Sequence, residues 1–412
     1  MLDDYFQRPS RIRALRAGPC GAFLDGFSDQ FAAAEFSTKC VRCYVLDAVH
    51  LGVWLERRGV PLRDVDDALI DRFVAHLFEC RCTDARHAGY RRGPFRVREF
   101  LGYLRRIGAV HPPQHRSTPV ERLVDAYCEW MRKRRGVLAT TLGRRTRVLT
   151  EFVAAVGVRP RRYTAAGVRA FILAYVRERE PSASNATNAV RSFLRYLVAE
   201  GRCGAHLPAA VPRVPSPRLA ALPMYLGPDQ IEKMIHGCNS NVVGLRDRAM
   251  LLLLARLGFR PSDVVRVTLD DLDWRRGRIR VFGKSRREAW LPLPQDAGNA
   301  ILAYLDRRRA VTDHHHVFLG IYAPFGPLGP KTVTARVEVA MQRAGIDLPR
   351  GGAYVLRHSL AMRLLGEDAS LDQIGAVLRH RRVETTAIYA KVDLRALGDI
   401  AQPWPVVEVR PC

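Results

Sequence analysis

Residues 354–359 read Tyr354-Val355-Leu356-Arg357-His358-Ser359, and further on come Leu378-Arg379-His380 and then Glu384-Thr385-Thr386-Ala387-Ile388-Tyr389-Ala390-Lys391. Apolar spacing predicts a helix over 355–366, opened by the first stretch. A second helix is predicted over 370–378, ending beside His380, and Tyr389 falls in a short helical run over 384–391. Upstream, Gly258-Phe259-Arg260-Pro261-Ser262-Asp263 closes one helix and opens another. Between these, 278–282 and 289–293 alternate as strands around Gly283-Lys284-Ser285-Arg286-Arg287-Glu288, the sequence of a β-hairpin turn. Further helical runs are read over 228–236, 245–257, 295–309 and 331–344. The C-terminal block is therefore α+β, mainly α with a small β-sheet.

Any one of these motifs is weak, but together and in this order they resemble the tyrosine recombinase (phage integrase) family. The resemblance covers about 225–400 as the catalytic domain, and the block at 117–205 resembles the family's SAM-like helical core-binding domain. It implies a site built from Arg260, Lys284, Arg357, His380 and Tyr389, with Tyr389 as nucleophile. By the same resemblance Lys284 is the general acid, His380 hydrogen-bonds a phosphate oxygen, and Asp263 orients Arg260. The implied working unit is a homo-tetramer on two double-stranded DNA sites, and no cofactor is implied. Tyr354 departs from the pattern, since the family usually has His there. A phenol can donate a hydrogen bond to phosphate but cannot act as a base near neutrality, so altered rates or pH dependence are expected.

These residue types suit the chemistry on physical grounds. Cutting DNA without metal or ATP needs a nucleophile that keeps the phosphodiester energy in a covalent bond, which a tyrosine supplies. A phenol with pKa ~10 is a poor nucleophile unless cations or a base favour its phenolate. Two planar guanidiniums can hold the oxygens of a phosphorane bidentately, and losing one such donor costs on the order of 3–4 kcal/mol. A leaving 5′-oxygen needs a proton, and Lys can give one where Arg cannot.

Composition points the same way. The chain has 412 residues and a net charge of +25, which favours a polyanionic partner. Only six of its 66 basic residues are lysines, a skew that looks like a coding signature and makes Lys284 stand out. Proline-rich stretches at 111–119 and 206–224 are read as non-helical breaks. They divide the chain into an N-terminal helical module (1–112), the core-binding domain (113–205), a linker (206–224), the catalytic domain (225–400) and a tail (401–412). Splitting at residues 116 and 217 gives blocks of +5, +11 and +9, the middle one being the most basic. The first two blocks look like a degenerate repeat: Ser37-Thr38 and Thr140-Thr141 each precede an amphipathic run as capping signals, and Phe100-Leu101-Gly102-Tyr103-Leu104 parallels Phe193-Leu194-Arg195-Tyr196-Leu197. The first module is expected to contact flanking DNA or another protein.

No apolar run approaches the roughly 20 residues that span a bilayer, and residues 1–5 carry no signal-peptide pattern. Nine scattered cysteines fit reduced thiols, so a prokaryotic, cytoplasmic, nucleoid-associated protein is expected, serving a mobile element. Cys40-x-x-Cys43 and Cys80-x-Cys82 offer four thiolates for zinc. The first pair falls inside a helix and the pairs are far apart, so no metal is expected. Two other readings share the fold: a catalytically impaired accessory DNA-binding homologue, and a type IB topoisomerase-like enzyme.

Overall fold

The structure of the protein is a computed structural model. It describes residues 1–80, 93–112, 117–179, 183–213, 222–282, 288–308, 314–349, 352–380 and 382–392. The chain forms two compact units, residues 1–112 together with 219–412, and residues 113–218.

In the first unit the N-terminal module holds α1 (Pro9–Ala17), α2 (Gly21–Asp29), α3 (Thr38–Glu56), α4 (Asp67–Glu79) and α5 (Gly93–Arg106). Ser37 caps α3 by accepting the Cys40 N–H, and Asp66 caps α4 by accepting the Leu69 N–H. Each cap satisfies a donor that the first helical turn leaves unpaired. Val41, Val45, Ala48 and Leu51 of α3 are buried with Ile70 and Phe73 of α4 and Phe100, Leu101 and Leu104 of α5. Within this core Arg96 Nε lies 2.5 Å from Asp47 Oδ2, with side chains 8% and 3% exposed.

The second unit holds α6 (Pro119–Arg135), α7 (Ala139–Val156), α8 (Ala165–Glu178), α9 (Ala183–Ala199) and α10 (Leu207–Ala210). Thr118 and Glu121 form a reciprocal capping box at the start of α6. Phe193, Leu194 and Leu197 of α9 are buried against α7 and α8, as Phe100, Leu101 and Leu104 of α5 are against α3 and α4. Two expectations fail here. Thr140 and Thr141 do not cap α7: the helix begins at Ala139 with Leu138 as an uncapped N-cap, because α6 already ends at left-handed Gly136 and leaves little chain between. The proline-rich stretch is also partly helical. Pro208 sits in the first turn of α10, where its missing N–H costs nothing, and Leu207 and Val211 are buried in this unit's core.

The C-terminal part of the first unit has α11 (Pro228–His236), α12 (Val242–Leu257) and α13 (Pro261–Val264), then a sheet, then α14 (Gln295–Arg307), α15 (Pro330–Arg343), α16 (Tyr354–Gly366) and α17 (Leu371–Val377). Helix α12 is buried on nearly every side, packed against α14 and α16. Strands β1 (Leu272–Asp273), β2 (Arg278–Phe282) and β3 (Glu288–Pro292) form an antiparallel meander, with Ile279 opposite Leu291 and Arg280 opposite Trp290. Ile279 and Val281 enter the core, while Arg278 and Arg280 lie over the Trp290 ring. The short β1 has no counterpart in the sequence reading. The hairpin turn, and Lys284 with it, lies outside the described residues.

The run at 384–391 is not an α-helix. It contains two 3-10 turns, Val383–Thr385 and Ala390–Val392. The Tyr389 N–H bonds the Thr386 carbonyl, and the Thr386 hydroxyl is occupied by His380. So short a segment, tied down by its own side chains, has little to gain from α-helical propagation. No described helix is long and apolar enough to cross a membrane. Residues 31, 36 and 44 of the N-terminal module and residues 321–325 line a shared cleft of about 980 Å³.

Candidate active site

Helix α12 stops at Gly258, whose φ of +58° is left-handed. A Cβ there would lie 2.7 Å from Leu378 Cδ2 and 3.0 Å from Leu360 Cδ2. Only glycine allows both that backbone and that approach. The turn then delivers Arg260 to the N-cap of α13. Its N–H donates to Asp263 Oδ2 at 3.1 Å, and its Nη1 lies 3.7 Å from the same oxygen. The aspartate therefore holds both the backbone and the guanidinium of Arg260.

Arg357 sits in the first turn of α16 and is 4% exposed. Its Nη1 donates to the Gly258 carbonyl and its Nη2 to the Leu378 carbonyl, which locks the guanidinium between two segments. Burial, followed by the nearby charges of Arg260 and Arg379, pushes its pKa down to about 9.

His380 follows α17. Its Nδ1 lies 2.8 Å from the hydroxyl of Thr386, a residue 1% exposed. Burial, then Arg357 and Arg260, brings its pKa down to about 4, so the ring is neutral near pH 7. Tyr389 is 1% exposed and packs with Leu360, Ala361, Ile374 and Leu378. Its hydroxyl lies 2.9 Å from His358 Nδ1. Burial pushes its pKa up to about 12 against the opposing pull of Arg357. Burial and Arg357 hold His358 below its ordinary value, and in the neutral tautomer protonated at Nε2 its Nδ1 accepts the phenol's hydrogen bond.

Five of the sequence-predicted residues thus meet through α13, α16, α17 and the 380–389 turn: Arg260, Asp263, Arg357, His380 and Tyr389. Lys284 lies outside the described residues. Tyr354 opens α16 and is 57% exposed, and it makes no hydrogen bond among the described residues.

Two residues of the site escaped sequence reading. His358 reads as an ordinary helix residue beside Arg357, and only packing carries its ring to Tyr389. Arg379 stands in the quoted Leu378-Arg379-His380 stretch with no role assigned to it. Its φ of +53° turns it inward, where Nη2 lies 3.4 Å from Asp263 Oδ2 and the guanidinium stands 4.9 Å from the Phe259 ring. Its Nε and Nη1 are buried without a hydrogen-bond partner among the described residues. The sequence signal was the non-glycine residue where helix α17 turns out of its last turn, which gains meaning only with the φ angle.

Residues 224–395 match the model of the phage integrase family. Over 398 residues the chain is 36% identical to the putative integrase/recombinase y4rA of Sinorhizobium fredii (strain NBRC 101917 / NGR234), covering 94% of this chain and 95% of that one. It is 31% identical over 289 residues to tyrosine recombinase XerC of Pseudomonas aeruginosa (strain LESB58), covering 67% and 92% of the two chains. Among solved structures, the XerH site-specific recombinase in a post-cleavage complex with palindromic difH substrate aligns with a TM-score of 0.57 and 17% identity, covering 81% of this chain and 94% of that one, a likeness of fold. The chain belongs to the tyrosine recombinase (phage integrase) family, the DNA strand-transferring enzymes of site-specific recombination.

Proposed function

We propose that this chain exchanges strands between two double-stranded DNA sites, with Tyr389 as nucleophile. The Tyr389 oxygen bonds to the scissile phosphorus as the bond to the 5′-oxygen breaks, leaving a 3′-phosphotyrosine. Lys284 gives its proton to the departing 5′-oxygen. The 5′-hydroxyl of a partner strand then attacks the phosphotyrosine and releases the phenol. Arg260 and Arg357 hold the non-bridging oxygens, where transition-state charge grows, and His380 adds a hydrogen bond. Asp263 keeps Arg260 aimed. Tyr354, at the mouth of α16, donates to the phosphate.

One observation carries this reading. Arg260, Arg357 and His380 come from three separate segments to lie near one another, and beside Arg357 stands a buried tyrosine whose hydroxyl rests on the His358 imidazole. A phenol with its pKa pushed up to about 12 holds almost no phenolate at neutral pH, so His358 takes its proton during attack. The hydroxyl is covered, so the 380–389 segment must shift before a phosphate can reach it.

The second unit supplies a basic groove of about 510 Å³, lined by Arg135, Arg144, Arg145, Arg191 and Arg195 with Asn185 and Asn188. Side chains of this type grip phosphates and fix register without reading sequence. Strand exchange at two sites calls for a homo-tetramer acting on DNA in a prokaryotic cytoplasm.

A nicked suicide substrate, which loses the 5′-hydroxyl needed for resealing, tests the proposal. A covalent protein–DNA adduct forms with the unaltered protein and is absent in Tyr389→Phe. No adduct, or one that persists in Tyr389→Phe, defeats the assignment. Relaxation of a supercoiled plasmid with no paired site would point instead to topoisomerase-like action.

A further inference from the structure

The N-terminal module contains a second chemical cluster, outside the hydrophobic groups that hold Tyr389. His50 lies on α3, His76 on α4, and Cys80 is the C-cap of α4, one turn beyond His76. One ligand atom from each lies within 4.8 Å of the others. We propose that His50, His76 and Cys80 bind a zinc ion that pins the end of α4 to α3.

The geometry is near that of a built site. Zinc bonds imidazole nitrogen at ~2.0–2.1 Å and thiolate sulfur at ~2.3 Å, so a tetrahedral N–Zn–S edge is about 3.6 Å. His50 Nε2 and Cys80 Sγ are 3.5 Å apart. That pair already spans such an edge, and the donor of half-buried His76 lies within 4.8 Å of both. Among the described residues no further His, Cys, Asp or Glu joins these three.

The donor set selects the metal. Two imidazoles and a thiolate suit zinc, whereas magnesium and calcium take oxygen ligands. The surroundings suit a structural ion. The His50 ring packs edge-on to Phe73 at 5.1 Å, and Trp54 closes over Phe73 and His76. Such an apolar wall holds the ligands in orientation. Of the four thiolates weighed from sequence, Cys40 and Cys43 line the cleft at residues 321–325, and Cys82 lies outside the described residues.

The Cys80–His50 contact accounts for one distance, and the His76 imidazole converges on the same point. The ion would stabilise the module, because a preformed site does not exist in the unfolded chain and binding energy is then folding energy.

The test uses the untagged full-length chain, purified without chelator. Elemental analysis should give about one zinc per chain in the unaltered protein and less than about a tenth of that in His76→Ala and in Cys80→Ser. Cys43→Ser should keep its zinc. Cobalt(II) added to the zinc-stripped, unaltered protein should give a thiolate-to-cobalt charge-transfer band, lost in Cys80→Ser. The proposal is overturned if the unaltered protein carries no zinc and gives no such band. It is equally overturned if zinc stays undiminished in both His76→Ala and Cys80→Ser. The cobalt measurement on the unaltered chain needs no variant, so a misfolded substitution cannot hide the result.

Discussion

Replacing Gly258 with alanine tests whether the turn after α12 positions Arg357. The left-handed backbone costs an L-residue about 1–2 kcal/mol. The added Cβ meets Leu378 and Leu360 at 2.7 and 3.0 Å. Overpacking of that kind costs a further ~1–3 kcal/mol. Stiffening of the unfolded chain returns about 0.4–1 kcal/mol. The net expectation is a loss of about 1–4.6 kcal/mol on urea unfolding. Gly277 provides the control: its φ is +57°, but a Cβ there meets nothing within 4 Å. Gly277→Ala should therefore lose only the backbone cost, and the difference between the two variants isolates the close approach. Activity separates them further. The Gly258 carbonyl accepts a bond from Arg357, so a shift of that carbonyl moves the guanidinium. A misplacement near 1 Å costs about 10²-fold, read as the rate of adduct formation on the suicide substrate at a temperature where the variant stays folded. If the two variants lose equal stability and Gly258→Ala keeps its rate within about twofold, the anchoring role of this turn is wrong.

Three further outcomes follow from the same geometry. His358→Ala should slow adduct formation by about 10²-fold or more, and the unaltered enzyme should lose rate only when pH falls below the ordinary imidazole range, because burial and Arg357 delay the protonation that stops His358 accepting a proton; a pH–rate profile checks both. His380, with its folded pKa down to about 4, is neutral when folded but takes a proton when unfolded below about 6.5. Stability should thus fall as pH drops from 6.5 toward 4, and His380→Gln should flatten that part of the curve in denaturant titrations. Arg96→Met removes one buried partner of Asp47 and should lower the unfolding free energy measured by urea titration.

Much of the fold was legible because burial writes a period into the sequence. Phe100, Leu101 and Leu104, like Phe193, Leu194 and Leu197, sit at helical spacing and are all buried. The alternation of 278–282 matched a strand residue for residue. What failed was decided by neighbours. The run at 384–391 has helical spacing, but the Thr386 hydroxyl serves His380 and Tyr389 turns into the core. Leu207–Ala210 is helical because its apolar residues find a core to enter, a gain that proline counting misses. In the site, Arg260, Arg357, His380 and Tyr389 were legible from residue type and order. His358 and Arg379 were not, since one depends on which ring a helix face meets and the other on a single backbone angle.

The Arg379 geometry has a consequence for how the site holds charge. Arg260, Arg357 and Arg379 are respectively 19%, 4% and 12% exposed, and Asp263 is the carboxylate that Arg260 and Arg379 share. Burial and mutual repulsion lower the pKa of both Arg357 and Arg379. Buried cations in excess of their counter-charge are costly, and a tetrahedral oxyanion between them relieves that cost. Inorganic phosphate at millimolar concentration, with ionic strength held constant by chloride, should therefore stabilise the folded chain. At ten times its dissociation constant the gain is about 1.4 kcal/mol. Arg260→Gln should lose most of this increment, because its guanidinium is the most exposed of the three. Arg379→Gly, which relieves both the left-handed strain and one cation, should raise stability in chloride while shrinking the phosphate increment. Equal phosphate increments in the unaltered chain and in both variants would trace the effect to the arginine groove of the second unit, and the excess charge around Tyr389 would then have no part in binding the anion.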